Sequence, residues 1–401
     1  MSRDLISVAE AEALIAEHMP SFGVERVTLG AAVGRVLREP VYAERDHPPF
    51  DRVMMDGIGI RWSQPLPDSF APVGTQLAGA ARQTLQGAGT CLEVTTGAVV
   101  PEGCDCIIPV EQTRRRGDRY VLADGYRPAK GQFIHPRGSD CRAGTRVLDS
   151  GVRLGPPEMA QLAANGVAQV EVAASPSIAI VATGDELVGV DALLAEGQIR
   201  RSNDMAIAAA LRGHGFDRTA LSHVTDDLAA TIDALQALLA AHEVVIISGG
   251  VSMGQKDYVP QALSALGVQR VFHRIAQRPG KPMWFGVGPG GQVVFALPGN
   301  PVSSLVCFVR YVRPALLAAM GMGPDAPYYV RLDSDVETSQ ALTCFVPVRM
   351  QQDSSGCSMA HPVLSRTSGD FSSLTRAHGV VQLPAGQALV PAGAVAVLYR
   401  W

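Results

Sequence analysis

The sequence lacks the cysteine spacing that marks a metal centre or a disulfide scaffold. Its seven cysteines are scattered, and Cys104 and Cys106 form the only close pair, with no Cys-x-x-Cys anywhere. A structural zinc site or a set of disulfides is therefore not expected. The N-terminus also lacks the basic-then-apolar pattern of a signal peptide. These absences predict reduced thiols and a cytoplasmic location.

The sequence has neither an excess of positive charge nor a long apolar run. Its 34 Lys and Arg are outnumbered by 38 Asp and Glu, which gives a net charge of −4 and no general attraction to nucleic acid. The basic run Arg114–Arg116 is predicted to be a solvated turn between strands. No stretch approaches the roughly 20 apolar residues of a membrane-spanning helix, so no membrane association is expected.

What the sequence does contain is the balance of a folded protein with several domains. Hydrophobic residues make up 47% and charged residues 18% of the 401 residues, and a chain of this length exceeds one hydrophobic core. Ser7 to His18 predict a helix with Ser7 as its cap and Glu10 completing a capping box. From about 40 to 140, short apolar runs between Gly and Pro predict a separate β domain. Gly144 to Val172 predict a helix flanked by short strands.

From residue 175 onward, strand and helix patterns alternate, as in a doubly wound α/β sheet. The predicted strands are Ser177 to Val181, Thr219 to Val224, Glu243 to Ile247, Arg270 to Ile275 and Val293 to Leu297. The predicted helices are Asn203 to Leu211, Leu228 to Leu239, Asp257 to Leu266 and Pro301 to Met320. After Pro324 the pattern is β-like, except for a helix at Ser372 to His378. The expected fold class is multidomain α/β plus β: a central doubly wound parallel sheet domain, an inserted β domain near the N-terminus and a small C-terminal β domain.

The loops that follow the predicted strands carry groups suited to anions and metals. In an open α/β sheet, ligands bind beyond the C-terminal ends of the strands. Glycine loops let backbone N–H groups approach a phosphate, carboxylates hold Mg²⁺ together with waters and phosphate oxygens, and cations offset anionic charge. The loops are Thr183 to Leu187, Asp226-Asp227, Ser248 to Tyr258, Arg278 to Pro282 and Pro298 to Pro301. Together they predict a site for a phosphorylated or nucleotidyl ligand with a divalent metal.

Each loop taken alone also has an ordinary structural explanation. A carboxylate after a strand, such as Asp226, is often a helix N-cap, and Gly249-Gly250 alone could be a turn. Gly249 to Gly254 has the glycine spacing of a phosphate loop, but Gln255 stands where its lysine belongs, so that motif is excluded. Gly286 to Gly291 satisfies G-x-G-x-x-G but contains a proline between two apparent strands, so a hairpin turn is predicted there instead of a dinucleotide fold.

Several of these segments, in this order and spacing, resemble the motifs of the molybdopterin molybdenumtransferases and of the related E domain of gephyrin. The resemblance extends into both ends of the chain and covers nearly all of it. The resembling segments are Pro48 to Asp51 with Met55 to Gly57, Thr96 to Gly103, Gly138 to Asp140, Ser248 to Ser252, Arg278 to Pro282, Leu297 to Ser303 and Ser368 to Leu374.

The resemblance implies a role in molybdenum-cofactor biosynthesis. Members of this family join molybdate to the dithiolene of adenylylated molybdopterin and release AMP with the help of Mg²⁺. They act as homodimers whose active sites are completed by the β domain of the second subunit; the adenylylating enzyme of the pathway and recipient molybdenum enzymes are further candidate partners. The implied domains are a linking domain (1–44 and 139–173), a β domain (45–138), an α/β molybdopterin-binding domain (174–326) and a C-terminal β domain (327–401).

The loop chemistry and the resemblance together identify candidate site residues in both halves of the chain. The candidate catalytic residues are Asp56, Glu186, Asp257 and Lys281. The candidate cofactor-binding residues are Thr96, Asp140, Thr183, Gly184, Asp226, Ser248, Gly249, Gly250, Arg278, Pro298 and Pro301.

These residues suit the chemistry of opening a phosphoanhydride link. That reaction needs a metal to neutralise developing charge and to orient water, and the candidate metal ligands are Glu186, Asp226 and Asp257. Molybdate is a tetrahedral dianion, so cationic side chains are its expected partners, here Arg278 and Lys281.

Two segments depart from the family pattern. Arg52-Val53-Met54 stand where the family has a small polar residue and Ala, and Arg200-Arg201 stand where an Asp or Asn is common. The departures leave open a diverged paralogue that acts as a non-catalytic molybdenum-cofactor carrier or scaffold. Another alternative is nucleotidyl transfer onto molybdopterin, against which the β domains argue, because that activity resembles the sheet domain alone.

Overall fold

The computed structural model describes residues 5–252, 257–363, 367 and 369–401. The chain forms two compact units, of which one comprises residues 39–149 and 156–168 and the other residues 1–38, 150–155 and 169–401. The finer division into four domains stays a prediction. The interpretations that concern Gly254, Gln255 and Ser368 fall on positions outside the described residues.

The first part of the chain contains short strands and two separated helices. The helices are α1 (Val8–His18) and α2 (Pro156–Ala164), and 3-10 turns occur at Leu29–Ala32 and Val110–Gln112. The strands are β1 (Val24–Thr28), β2 (Val41–Tyr42), β3 (Arg52–Val53), β4 (Gly57–Ile60), β5 (Ala71–Gln76), β6 (Thr90–Val94), β7 (Cys106–Pro109), β8 (Thr113–Arg116), β9 (Arg119–Leu122), β10 (Ile134–His135), β11 (Arg146–Leu148) and β12 (Gln169–Ala173).

Helix α1 begins with the capping box that the sequence predicts. The backbone N–H of Glu10 donates to Ser7 Oγ at 3.2 Å, and the backbone N–H of Ser7 donates to Glu10 Oε2 at 2.9 Å. Two N–H groups that have no helical partner are thereby satisfied. The buried face of the helix, Val8, Ala11 and Ile15, joins the core of the larger unit.

The smaller unit contains the predicted β domain together with helix α2. Strands β5, β6, β4 and β7 form its sheet, and β8 pairs with β9 as a hairpin. Successive residues of a strand point to opposite faces, and Cys91 and Leu92 accordingly belong to different hydrophobic clusters. The run Arg114–Arg116 is exposed, as predicted, but it lies in strand β8 and not in a turn, because Tyr120 and Val121 of β9 pair with it.

The middle of the chain contains alternating strands and helices. The strands are β13 (Ile178–Thr183), β14 (Leu187–Val188), β15 (Ile199–Arg200), β16 (Thr219–Val224), β17 (Val244–Ser248), β18 (Gln269–His273), β19 (Gln277–Arg278), β20 (Trp284–Val287) and β21 (Val293–Leu297). The helices are α3 (Asn203–Gly213), α4 (Leu228–Ala241), α5 (Val259–Ala265), α6 (Pro301–Cys307) and α7 (Arg313–Ala319).

Six of these strands form one sheet in the order β16-β13-β17-β21-β20-β18. Ile178 and Ile180 of β13 pack in the core that includes residues of α3 and α6, whereas Ala179 and Val181 pack in the core that includes residues of α4 and α5. Helices therefore cover both faces, which confirms the doubly wound α/β domain.

The sheet is not parallel throughout, which differs from the prediction. Strands β16, β13, β17 and β21 run parallel, but β20 is antiparallel to both of its neighbours. The cause is the short connection after Val287, which turns the chain directly back into β21, whereas a parallel neighbour needs a crossover of a dozen or more residues. The predicted hairpin at Gly286 to Gly291 is thus confirmed.

Helices α6 and α7 are joined by a π-helical turn at Phe308–Val312. Pro314 lies in the first turn of α7 and has no N–H to donate, which accounts for the change in hydrogen-bond register before it. The combined run Pro301–Ala319 is apolar and long enough to cross a membrane, contrary to the expectation from the sequence. Because 67% of its most apolar window is buried inside the protein, the run is a core helix of this unit.

The last part of the chain is a small β-barrel with one short helix. Its elements are β22 (Tyr328–Leu332), β23 (Val336–Glu337), β24 (Thr343–Gln352), β25 (Ser358–Pro362), α8 (Phe371–Arg376), β26 (Gly379–Leu383), β27 (Leu389–Val390) and β28 (Val395–Arg400). Strands β24, β25, β22, β28 and β26 form a ring that closes through a β24–β26 pairing. Strand β19 of the preceding segment adds to β24 in parallel. The predicted C-terminal β domain is confirmed.

Candidate functional site

A large cavity lies at the C-terminal edge of the central sheet, and we call it the edge cavity. Its volume is about 1020 Å³. The parallel strands β13, β16, β17 and β21 end at this edge, so loops far apart in sequence meet there. The candidate residues that line it are Thr183, Gly184, Glu186, Asp226, Ser248, Gly249, Gly250, Asp257, Pro298 and Pro301.

The glycine after β17 is required by a close approach to β13. Gly249 has a φ of +106°, and a Cβ at this position would lie 2.6 Å from Thr183 Oγ1 and 2.8 Å from the Thr183 carbonyl oxygen. Neither the backbone conformation nor the space permits an ordinary side chain. The glycine is therefore needed for packing, whatever it also does for a ligand.

The hydroxyl of Thr183 is a buried polar group in a residue that lines the edge cavity. Its Oγ1 is shielded from solvent and has no hydrogen-bond partner within the described ranges. Buried polar atoms without partners are uncommon in native proteins. A hydroxyl in the wall of a cavity is satisfied when a ligand accepts its proton or donates to it.

Asn203, the first residue of α3, ties two of the glycine-containing loops together. Its Nδ2 donates to Ser248 Oγ at 2.9 Å and to the Gly299 carbonyl oxygen at 2.7 Å. The sequence predicted Asn203 as the start of a helix but did not include it among the site residues. The available signal was a polar amide at a helix start beside the glycine loops.

The acidic loops after β13 and β16 are linked by two hydrogen bonds, each from a backbone N–H of one loop to an aspartate side chain of the other. The backbone N–H of Asp226 donates to Asp185 Oδ1 at 2.9 Å, and that of Asp185 donates to Asp226 Oδ2 at 3.5 Å. Asp227 caps α4 by accepting from the Ala230 N–H at 2.8 Å. The cap interpretation left open for Asp226 therefore belongs to its neighbour, and Asp226 lines the cavity instead.

The carboxylates of the edge cavity fit a metal that is held partly by its ligand. Throughout residues 5–252, 257–363 and 369–401, no group of three or more His, Cys, Asp or Glu side chains is close enough to hold a metal ion. Mg²⁺ usually takes one or two protein carboxylates and completes its octahedron with water and phosphate oxygens. Glu186, Asp226 and Asp257 all line the cavity, which is compatible with an ion held by one or two of them and otherwise by its ligand.

The Arg278 to Pro282 segment does not lie wholly at this edge. Pro282 lines the edge cavity, and Lys281 is exposed and absent from its lining. Arg278 lies in β19 and lines a second cavity of about 890 Å³, together with barrel residues such as Glu337, which we call the barrel cavity. The structure therefore places Arg278 apart from the acidic loops with which the sequence grouped it.

A buried glutamine anchors this segment, and sequence reasoning missed it. Gln277 is 0% exposed, and its Nε2 donates to the Pro279 carbonyl oxygen at 3.1 Å. The hydroxyl of Tyr311 donates to Gln277 Oε1. Burial raises the pKa of that Tyr311 hydroxyl, so it remains protonated and a donor.

In the smaller unit, Asp56 and Thr96 form one cluster. The Thr96 backbone N–H and hydroxyl donate to Asp56 Oδ1 at 2.6 and 2.9 Å. Both hydrogen bonds favour the ionised carboxylate and hold the pKa of Asp56 below its usual value. Asp56 is exposed and follows strand β3, so the cluster presents a carboxylate to solvent.

Asp140 belongs to a second chain of contacts in the same unit. His135 Nε2 donates to Asp140 Oδ1 at 2.7 Å, because Arg52 donates to His135 Nδ1 at 3.0 Å and leaves the proton on Nε2. Arg52 and His135 face each other across β3 and β10. One of the departures from the family pattern thus orients a histidine that contacts a candidate site residue.

Comparison with known families divides the same chain into matching regions. Residues 6–166 match the model of the MoeA N-terminal region (domain I and II), residues 179–318 a probable molybdopterin binding domain, and residues 329–400 the MoeA C-terminal region (domain IV). The chain belongs to the molybdopterin molybdenumtransferase family of enzymes. All residues that line the edge cavity, except Gly369, lie in the region that matches the molybdopterin binding domain.

Members of this family match over nearly their whole length. The molybdopterin molybdenumtransferase of Synechocystis sp. is 38% identical over 99% of this chain and 100% of its own. That of Staphylococcus aureus strain Mu50 is 30% identical over 98% of this chain and 94% of its own. The crystal structure of a molybdopterin biosynthesis MoeA protein from Pyrococcus horikoshii OT3 superimposes with a TM-score of 0.82 at 27% identity, covering 99% of this chain and 100% of that one.

Proposed function

We propose that this protein inserts molybdate into adenylylated molybdopterin with Mg²⁺-dependent release of AMP. The observation that carries the proposal is the edge cavity, where glycine loops, the donor hydroxyl of Thr183 and several carboxylates meet. The relatives named molybdopterin molybdenumtransferase support the same reaction class.

The nucleotide part of the substrate binds at the glycine loops. Gly249 and Gly250 bring backbone close to the cavity without side chains in the way, and the start of α6 behind Pro298 to Pro301 favours negative charge. Thr183 donates its free hydroxyl to a substrate oxygen. These contacts orient the phosphoanhydride relative to the acidic loops.

One or two of the candidate ligands Glu186, Asp226 and Asp257 would hold Mg²⁺ in the edge cavity, with water and phosphate oxygens completing its shell. The bound ion supplies neutralisation of the charge that develops on phosphate oxygens as the link opens. The linked Asp185 and Asp226 loops keep these carboxylates in place. Water adds to the adenylyl phosphorus, the bond to the molybdopterin phosphate breaks, and AMP and molybdopterin are the products. The two dithiolene sulfurs bond to molybdenum and displace one oxygen of molybdate, which leaves as water with the two thiol protons.

Arg278 and Lys281 capture the molybdate dianion. Within the described residues the Arg278 guanidinium has no recorded protein partner, and it faces the barrel cavity, a volume large enough for a hydrated oxyanion. The buried Gln277 fixes the turn between the two cations. Their positive charges attract the dianion and offset the repulsion from Asp335 and Glu337, which also line the barrel cavity.

The working protein is a homodimer in the cytoplasm. In this arrangement the Asp56 and Thr96 cluster of one subunit completes the site of the other, as the family resemblance implies. The adenylylating enzyme of the pathway and recipient molybdenum enzymes are its expected partners. All seven cysteines are free, which agrees with a reducing compartment.

The test is a direct assay of the reaction. Purified protein is incubated with adenylylated molybdopterin, Mg²⁺ and molybdate, and AMP is measured over time. The proposal requires AMP release that depends on both Mg²⁺ and molybdate. A cofactor carrier or scaffold, suggested by the changed Arg52 to Met54 and Arg200-Arg201 segments, would bind the pterin but release no AMP.

A further inference from the structure

Two adjacent arginines in the wall of the edge cavity have different surroundings. Arg200 Nε donates to the Val190 carbonyl oxygen at 2.7 Å, and its Nη2 donates to that of Ala192 at 3.2 Å. The Arg200 guanidinium is thereby bonded to the backbone of the loop between β14 and β15. Arg201 makes no such bond in the described part of the chain, and its Nε lies 3.6 Å from Asp204 Oδ2.

Asp204 is a buried carboxylate that orients the Arg201 side chain by pairing with its Nε. Its side chain is 1% exposed, and its Oδ1 accepts from the Met205 N–H at 2.9 Å. Its Oδ2 has no hydrogen bond to any described residue, and the Arg201 guanidinium is the cation with which it forms an ion pair. A carboxylate out of water is strongly disfavoured without a counter-charge. The pair is therefore a built feature and not an exposed surface contact.

Arg201 is placed where a phosphate would meet the glycine loops. It lies two positions before Asn203, which is bonded to Ser248 and to Gly299. A guanidinium carries five N–H donors in a planar fork. Its Nε faces Asp204, and its terminal nitrogens have no recorded partner among the described residues, so they are available to the cavity.

We propose that Arg201, positioned by Asp204, binds a phosphate of the nucleotidyl group in the edge cavity. Arg278 and Lys281 do not line this cavity, and Arg200 is engaged with carbonyl oxygens. Arg201 is thus the cation of the described lining that retains free donors. It selects substrates that carry the phosphate. Its positive charge offsets the repulsion between that phosphate and the carboxylates of the cavity. The inference rests on the proposed function, because it assigns one residue to that substrate.

The test compares AMP with adenosine, which lacks the phosphate, by calorimetric titration of the full chain in one Mg²⁺ buffer. Arg201→Ala should weaken AMP binding about 10- to 100-fold, the range of one hydrogen-bonded charge, and leave adenosine binding unchanged. The AMP affinity of Arg201→Lys should lie between those of the wild type and of Arg201→Ala. Arg212→Ala is the matched control, because it removes an exposed arginine from the C-terminal end of α3, the helix that begins two residues after Arg201, and should behave as wild type.

Two results separate a phosphate contact from a structural role. If Arg201→Ala is unstable because Asp204 is left unpaired, Arg201→Ala combined with Asp204→Asn removes both charges and should lose AMP binding to the same extent. Equal weakening of AMP and adenosine, or a changed molybdate requirement with unchanged AMP binding, would overturn the inference. So would a wild-type protein that binds AMP no better than adenosine. The wild-type assay of AMP release decides the proposed function independently of these variants.

Discussion

Replacing Gly249 by alanine should damage the site far more than the small change in volume suggests. The new Cβ would lie 2.6 Å from Thr183 Oγ1, and ordinary contacts begin at 3.4 Å, so one of the two strands' ends must move by 3.4 − 2.6 = 0.8 Å. The residue would also hold a φ of +106°, which side chains rarely adopt. Strained backbone costs about 1–3 kcal/mol, and overpacking adds about 1–3 kcal/mol.

The expected loss in the free energy of unfolding is therefore about 2–6 kcal/mol, against a typical total of about 5–15 kcal/mol. A displacement near 1 Å at a reacting centre lowers turnover roughly 100-fold. The assays are thermal unfolding and AMP release under saturating substrate. We expect a folded protein with reduced stability and AMP release lowered by about that factor.

Gly267 provides the matched control for this substitution. It also has a positive φ, +74°, but nothing lies within 4 Å of a Cβ built there. Gly267→Ala should lose about 1–2 kcal/mol from backbone conformation alone and keep normal AMP release. If Gly249→Ala matches this control in both stability and turnover, the close approach to Thr183 does not constrain the site, and the argument is refuted.

The other predictions concern the charged residues. Glu186→Ala should abolish AMP release while the midpoint of thermal unfolding stays near that of wild type. Normal turnover in this variant would show that Glu186 takes no part in the reaction. Lys281→Ala should raise the molybdate concentration needed for half-maximal rate, with pterin affinity preserved; weaker pterin binding alone would assign Lys281 to the nucleotide. Thr96→Val removes one of two hydrogen bonds that lower the pKa of Asp56. An NMR titration should show that pKa rising toward its usual value, so the ionised form, and the stability it contributes above the unfolded pKa, is lost at a higher pH than in wild type as the solution is acidified. Mixed Asp56→Ala and Asp257→Ala subunits should regain up to roughly half of the dimer activity if each site combines residues of two subunits, whereas demonstrated heterodimers without activity would place both residues in one subunit's site.

The elements that the sequence predicts well are those with local causes. The capping box of α1 depends on Ser7 and Glu10, which are one helical turn apart. The buried strands β13 and β17 are short apolar runs ended by glycine-containing loops. The rule that parallel strands present their following loops at one edge then brings Thr183, Ser248 and Pro298 into one cavity, although nothing local in the sequence connects them.

The features that the sequence did not predict depend on partners far along the chain. Asn203 bonds to residues 45 and 96 positions away, and the buried Gln277 meets Tyr311, 34 positions away. A single sequence does not specify which polar side chain finds such a partner. The predicted hairpin at Gly286 to Gly291 implied a strand before it, but β20 was not included in the predicted sheet, since the alternation of helices and strands favours an entirely parallel sheet.

Arg278 is an exception to the rule that the loops after parallel strands meet at one edge of the sheet. It follows β18, whose end lies at the same edge as the glycine loops, and the rule therefore grouped it with the carboxylates. The chain after β18 does not turn into a helix, however, but extends as β19 and pairs with Thr343 and Cys344 of the barrel. That pairing carries Arg278 into the barrel cavity and leaves Arg201, which the sequence marked only as a departure, as the cation beside the glycine loops. The two cavities therefore both combine arginine with carboxylates: Arg200 and Arg201 lie with the carboxylates of the edge cavity, and Arg278 shares the barrel cavity with Asp335 and Glu337. An oxyanion bound in the barrel cavity would thus depend on the charge of Arg278 to offset two nearby carboxylates.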